Sequence, residues 1–444
     1  MTEPAFILTD RLIDDLDAVI ALPGSTGHTE ALAGVATRIA MMMRSRGLTV
    51  ESINTTGAPI VIGRRAGRSP FTLLLYHHYD SAPAGPWRAW HSEPFRTAER
   101  ESTLYGRGVA AGKGPLVAHL NAIAALIEAE GELPCSIVVV AEGEALGGSP
   151  SLGRVLIDQR DLVRADACLA TAGDRDAAGV PICYSGVKGL LQLQLRSQGA
   201  AMALPGGRAT VIANPLWRLI WALGQIKNDQ EEILIEGFYD TIEGLDRDAI
   251  KALRAARLDE QHRLEDWQIP QFLFGMTGNT LTQAEATLPT CNIAAISAEP
   301  ISELAILPTS AAARVDFQLV PRQQSQVILD LLRSHLNTRG YEDIGIERMA
   351  GGYPAAGTLT ADIFVQRVAE VGRTIFGATP AILPRGPFAL PLFFIGDMFH
   401  IPLATVGCSR TGSASFDANE HIAIADLVQH GQFLIELIYS CAQQ

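Results

Sequence analysis

Cysteine is sparse and never paired in this chain: Cys135, Cys168, Cys183, Cys291, Cys408 and Cys441 are dispersed, several within apolar runs, and no CxxC occurs. That spacing speaks against a disulfide framework or a zinc finger, and buried reduced thiols are expected. Basic tracts are missing as well. With 35 Lys and Arg against 48 Asp and Glu, the formal charge is −13 at pH 7, so the phosphate neutralisation behind generic nucleic-acid binding is not available. Nowhere do about eighteen apolar residues run without interruption, and Met1-Thr2-Glu3-Pro4 offers neither a basic n-region nor a long apolar h-region. A soluble, cytoplasmic protein with no membrane or nucleic-acid partner is expected. Internal repeats and low-complexity segments are absent too. What remains is an ordinary globular composition, 48% hydrophobic with scattered Gly and Pro. At 444 residues it is too long for one ordinary core, so two domains are expected.

The N-terminal third alternates helical and strand signals as an α/β domain does. Residues 29–46 and 114–130 read as helices, while 71–76 (FTLLLY) and 136–141 (SIVVVA) are short apolar runs suited to strands buried on both faces. A further strand is expected near 167–170. After Pro181 the pattern changes: 189–197 (GLLQLQLRS) alternates with period two, which implies a sheet with one open face. The later order of strand and helix signals, β-α-β-β-α-β, is that of a ferredoxin-like layer. Residues 228–290 look like an elaboration within that layer. From Gly357 onward the α/β alternation resumes, so a smaller domain is inserted into a larger one.

Short motifs fall at the C-terminal ends of the first strands, where open α/β sheets place their ligands. They are His78-Tyr79-Asp80, Gly106-Arg107-Gly108, Lys113-Gly114, Glu142-Gly143, Gly148-Ser149 and Asn419-Glu420. In that order they resemble the M20 family of zinc aminopeptidases and amidohydrolases, and the resemblance covers almost the whole chain. It implies a zinc-exopeptidase-like α/β/α domain, residues 1–186 plus 353–444, with an inserted ferredoxin-like α+β lid and dimerisation domain at 187–352. It also implies a homodimer paired through the exposed sheet edge of that insert.

By the same resemblance His78 takes the place of the first metal ligand, and Asp80 orients it. The bridging Asp of the family falls on Ala111, its general base and next ligand on Ala145 and Leu146, a fourth ligand on Ala172 and the last on Phe416. Metal ligands and bases need lone pairs or negative charge. These five side chains have neither, so no zinc or other cofactor is expected, and the five are expected to line an apolar pocket. Glu144, Asp174 and Asp417 lie within two residues of the vacated positions and leave a shifted metal site open as an alternative.

The remaining polar residues suggest roles of their own. His78 backed by Asp80 is either an acid-base pair or a mutually satisfied dyad. Glu142 and Glu144 flank the vacated base position, and either becomes an acid if burial raises its pKa. Arg385 is expected to clamp a substrate carboxylate, Arg107 and Lys113 to meet an anionic group, with a structural salt bridge as the alternative for Arg107, and Asn214 to lie on the substrate side. Arg410 and Lys188 are weaker cationic candidates, His77 is expected to face away from His78, and Cys408 to be a buried inert thiol. The expected activity is a metal-independent, biosynthetic conversion of an amino-acid or peptide-like small molecule: cyclisation, acyl transfer or elimination. A non-catalytic ligand-binding pseudoenzyme, and a zinc amidohydrolase or dipeptidase with relocated ligands, stand open beside it.

Overall fold

A computed structural model describes residues 5–443. The chain divides into two compact units. The larger takes in the chain up to Val187, Leu245–Thr287, and the chain from Ala356 onward.

An eight-stranded sheet organises the larger unit, in the order Thr49–Ile53, Ile60–Arg65, Leu133–Glu142, Gly67–His78, Ala167–Ala170, Leu403–Val406, Cys183–Tyr184 and Ile382–Leu383. Gly67–His78 runs parallel to both of its neighbours. Successive side chains alternate in direction, so Leu73 and Leu75 enter one core while Leu74 and Tyr76 enter another. Two buried faces explain why this strand reads as an unbroken apolar run. The first core is closed by the helices Lys113–Glu130 and Ile424–Cys441. Burying each Leu, Ile or Val there contributes about 1.5–3 kcal/mol.

Lys113–Glu130 is buried from Lys113 through Leu126 and stops at Gly131, whose positive φ of 79° lets its N–H reach the Ile127 carbonyl. The entry is equally constrained. A Cβ on Gly114 would stand 1.9 Å from the Val109 carbonyl oxygen, so only glycine fits there.

The smaller unit comprises Lys188–Gly244 and Leu288–Ala355. Its four-stranded antiparallel sheet has the order Thr290–Glu299, Ser310–Leu319, Gly189–Gln198, Gly345–Arg348. The helices Pro215–Ile226 and Ser325–Thr338 bury Leu219, Leu223, Ile328 and Leu332 in the same core as Leu191, Leu193 and Leu195. The β-α-β-β-α-β order expected from the sequence is thus the order found. The insert's boundaries differ, because residues 245–287 group with the larger unit. The physical reason is where their apolar side chains go: Leu253, Ala256 and Ala286 form one cluster with Tyr184 and Leu383. Among the described residues no helix is long and apolar enough to cross a membrane.

A polar group interrupts the first core. His77 Nε2 lies 3.0 Å from His119 Nδ1, His119 stacks on His430 at 4.6 Å between ring centroids, and His430 Nε2 lies 3.1 Å from Thr171 Oγ1. Burial, reinforced by the neighbouring rings and by Arg175, holds all three well below the ordinary histidine range. The sign of the consequence follows. An unfolded histidine titrates near about 6.5, so below that pH the unfolded chain binds protons that the folded rings refuse. Stability therefore falls as pH falls, by up to about 1.4 kcal/mol per pH unit for each ring. His78 and Glu142, whose pKa values are raised, oppose this, so the test is the difference that removing one of the three rings makes. Scanning calorimetry between pH 7.5 and 5.5 is expected to show the Tm of His119→Gln gaining on that of the wild type as pH falls. A Tm difference between the two that is independent of pH over that range would contradict the assignment.

Candidate functional site

His78 closes its strand and pairs in parallel register with Glu142, the last residue of the neighbouring strand. Its side chain emerges on the face opposite His77, as alternation requires. Asp80 is fully buried and binds it: Asp80 Oδ1 accepts from His78 Nδ1 at 3.0 Å, while Oδ2 accepts from Thr26 Oγ1 at 3.1 Å and from the Leu146 N–H at 2.9 Å. The carboxylate is held from three sides. It fixes the imidazole with Nδ1 protonated and leaves Nε2 for other work. Burial opposes charging this ring, but the hydrogen bond and charge of Asp80, with Glu142 behind, outweigh it and raise the pKa above the ordinary value. Gly112, at φ 72°, lies beneath the ring, and a Cβ there would come within 2.9 Å of His78 Cε1.

Glu142 is buried, and its Oε1 accepts from Tyr76 Oη at 2.5 Å and from Ser149 Oγ at 2.8 Å. Burial, with the charge of Asp80 adding to it, outweighs those bonds and pushes the carboxyl up to about 8. Near neutral pH it therefore holds a proton beside His78. Glu144 turns elsewhere. Its carboxylate lies on the Gly57 turn, where a Cβ would be 1.8 Å from Glu144 Oε1.

The loop carrying Ala111 is wrapped around Glu420. Glu420 Oε2 accepts from Arg107 Nη1 at 3.0 Å and from the Gly108 N–H at 2.8 Å, and Oε1 accepts from the N–H groups of Ala110 and Ala111 at 2.9 and 3.1 Å. Arg107 also donates to the carbonyls of Ser415 and Asp417 and stacks 5.0 Å from the Trp90 ring centroid. The guanidinium expected to meet an anionic ligand is engaged inside the protein. Glu420, a landmark of the motif order, has here a role that no local sequence signal gives, because the loop it holds lies 313 positions away.

Two more expectations are revised for the same reason. Lys113 is buried with Nζ donating to the Leu22 carbonyl at 2.7 Å, and burial, only partly offset by Glu420 and Asp80, brings it down to about 8. Asn214 caps the helix Pro215–Ile226, its Oδ1 accepting from the Leu216 N–H at 2.9 Å. Arg410 binds Asp426, Lys188 is buried, and burial raises the Cys408 thiol to about 12, which makes it an inert thiol.

Arg385 differs from these. It makes one hydrogen bond, from Nη1 to the Ala286 carbonyl at 2.7 Å; its Nε is buried without a partner, and burial lowers the guanidinium to about 10. Among the described residues no carboxylate pairs with it. Three residues on, Phe388 folds back over Gly386, where a Cβ would be 2.4 Å from its ring, and meets Tyr184 edge-on at 5.3 Å. Its ring also reaches Gly173, beside Ala172.

Of the five vacated positions, Ala145 is buried, Ala111, Leu146 and Ala172 are half-buried, and Phe416 is 76% exposed, so its ring faces solvent instead of lining a closed pocket. Glu144, Asp174 and Asp417 are not drawn together. Among the described residues no group of three or more His, Cys, Asp or Glu is placed to hold a metal ion.

Comparison with known proteins places this geometry in context. The human Beta-Ala-His dipeptidase is 24% identical over 380 residues, 82% of this chain and 74% of that protein. The probable di- and tripeptidase DUG2 of Saccharomyces cerevisiae is 23% identical over 372 residues, 79% of this chain but only 40% of its own length. The Cys-Gly metallodipeptidase DUG1 of Candida albicans is 32% identical over 200 residues, 44% of this chain and 41% of that one. In fold, an M20 family metallo-carboxypeptidase, Sso-CP2 from Sulfolobus solfataricus, superposes with a TM-score of 0.90 at 24% identity, covering 98% of this chain and all of the other.

These relatives overturn two expectations. A metal-independent biosynthetic enzyme or a non-catalytic binding protein conflicts with relatives named as dipeptidases. The expected lack of a metal cofactor conflicts with relatives named as metallodipeptidases. Ligand-position side chains report what is present at those positions and do not by themselves define a reaction class. Residues 74–440 match the family described as Peptidase family M20/M25/M40, and the chain belongs to it.

Proposed function

We propose that this chain is a dipeptidase-class hydrolase acting on the amide bond of a short peptide with a free carboxylate. The observation that carries this reading is Arg385: a guanidinium largely removed from water, with, among the described residues, one carbonyl acceptor, an orphan Nε–H and no acidic partner. A buried cation without a counter-charge is costly, and a substrate carboxylate would supply that charge. His78, oriented by Asp80, keeps Nε2 for acid-base work, and Glu142 holds a proton at the neighbouring strand end.

This member of the family is divergent at Ala111, Ala145, Leu146, Ala172 and Phe416, the five positions that motif order aligns with family ligands and base. Zinc sites take about four donors, and of the aligned ligand positions His78 alone carries one, so which residues would complete a metal site in this relative of metallodipeptidases is left to the assay with added metal. The roles of His78, Asp80, Glu142 and Arg385 are therefore derived from their own contacts. The test is a panel of dipeptides and their C-terminal amides, assayed with and without added divalent metal. Hydrolysis restricted to free-carboxylate substrates is expected. Failure to cleave any dipeptide under either condition overturns the reading.

We further propose that the chain forms a homodimer through its smaller unit. Thr290–Glu299 is an edge strand, with Ile293 and Ile296 46% and 49% exposed, and the stacked Trp217 and Trp221 are both more than half exposed. An uncovered apolar edge invites pairing, and a two-fold axis closes it after one partner. Light scattering is expected to give a dimer for the wild type and a monomer for Ile296→Lys. A monomeric wild type refutes this.

A further inference from the structure

Thr26 lies in the turn between the helices Thr9–Ile20 and Thr29–Ser45, 54 positions before Asp80, and is part of none of the short motifs. Its backbone is nonetheless tied to the end of the His78 strand. The Thr26 N–H donates to the Ser81 carbonyl at 3.1 Å, and the Ser81 N–H and Oγ donate to the Gly24 carbonyl at 2.9 and 3.2 Å. Ser25 and Ser81 form a parallel bridge. The turn is therefore locked to the residue that follows Asp80.

The Thr26 side chain has a fixed direction as well. Its methyl lies against Gly147, 3.4 Å from where a Cβ would stand on that glycine, and a β-branched side chain has little χ1 freedom. The hydroxyl, on the other branch, reaches Asp80 Oδ2 at 3.1 Å, whereas the Ser81 carbonyl at 3.4 Å is a longer and uncharged alternative. Leu146 gives the same oxygen its second donor, the backbone N–H at 2.9 Å. A residue with a carbon side chain at an aligned ligand position thus contributes through its main chain.

An aspartate does not by itself choose how it presents an oxygen to a neighbour, because its terminal torsion is broad and two-fold. His78 Nδ1 adds one bond, to Oδ1 at 3.0 Å, and the Asp80 carbonyl at 3.1 Å competes for the same N–H. The two donors on Oδ2 are what set the plane of the buried carboxylate. With Thr26 silenced, a single bond to Leu146 remains and the plane turns about it.

Building on the dipeptidase reading of His78, we propose that Thr26 is a positioning residue for its acid-base chemistry. By donating to Oδ2 it sets the Asp80 carboxylate, and through Oδ1 it sets the tautomer and orientation of the imidazole. Thr26 acts through Asp80 and not on the substrate.

Thr26→Val keeps the shape and removes the donor, while Thr26→Ser keeps the donor. With a dipeptide as substrate, Thr26→Val is expected to lower kcat about tenfold, the lower end for a hydrogen bond to a charged group, with KM unchanged. Thr26→Ser is expected to recover most of that loss. In an Asp80→Ala background Thr26→Val is expected to cost nothing further, because the group it positions is gone; a merely structural Thr26 would cost the same in both backgrounds. A second readout does not depend on activity. In protein labelled with ¹⁵N-histidine, the Nδ1–H of His78, identified by its loss in His78→Ala, is expected as a slowly exchanging downfield resonance in the wild type and in Thr26→Ser, and broadened by exchange with water in Thr26→Val. Cleavage of no dipeptide by the wild type would end the dipeptidase reading and leave that resonance to decide the role of Thr26. Absence of the resonance from the wild type, a wild-type resonance or wild-type kcat in Thr26→Val, or an equal loss of kcat in the Asp80→Ala background would each overturn the proposal.

Discussion

Glu420→Ala is expected to lower the unfolding free energy by about 3–5 kcal/mol, the range for removing one partner of a buried ion pair. The carboxylate accepts from Arg107 and from three backbone N–H groups, and both Glu420 and Arg107 are 1% exposed. Alanine would leave a buried guanidinium without its counter-charge and three N–H groups without acceptors. Arg107 would keep only the Ser415 and Asp417 carbonyls and the face of Trp90. Glu420→Gln retains an oxygen acceptor and should lose less. Urea unfolding is the measurement, with an unchanged slope and a lower midpoint expected. A loss below about 1 kcal/mol, the worth of an exposed pair, would mean that the loop is not anchored as described. Function should follow stability, because Gly112 at the end of this loop supports the His78 ring.

The anchor also shows what a sequence conceals. Arg107 and Glu420 are 313 positions apart, and no local pattern joins them. Short motifs gave both positions and left Arg107 between an anionic ligand and a structural salt bridge, without naming Glu420 as the partner. Periodicity was more informative where burial is simple. The runs 71–76 and 136–141 became the neighbouring strands Gly67–His78 and Leu133–Glu142, and the period-two stretch from Gly189 became the open-faced strand Gly189–Gln198. Residues 245–287 were misassigned because three short, charged helices carry little apolar pattern. Which unit they join is decided by a few contacts, such as Leu253 and Ala286 with Tyr184 and Leu383. Lys113 and Asn214 were misjudged for a related reason: residue type shows what a side chain can donate or accept, and folding decides whether a backbone group takes it first. The reaction class was the furthest from reach. Five carbon side chains at aligned ligand positions suggested that metal and hydrolysis had both been abandoned, and the named relatives corrected that step.

His78→Ala is expected to lower kcat/KM for a dipeptide by roughly 10²–10⁴-fold, the usual contribution of a positioned acid-base imidazole. The pH dependence gives this prediction its edge. Useful work by Nε2 needs its lone pair, so activity should fall as pH falls through the pKa of the ring. Asp80 raises that pKa above the ordinary value of about 6.5, so the acid limb should begin nearer neutrality than for a solvent-exposed histidine. Asp80→Asn removes the carboxylate that raises the pKa, and it should move the limb to lower pH while also lowering kcat, because the ring loses its fixed tautomer. Arg385→Ala separates binding from chemistry. Losing a charged hydrogen bond worth about 1.5–3 kcal/mol should raise KM by roughly 10- to 100-fold, with little movement of the limb. A pH profile unchanged in both His78→Ala and Asp80→Asn would show that the dyad only stabilises the strand end, since a structural role predicts a change in Tm and none in the titration of activity.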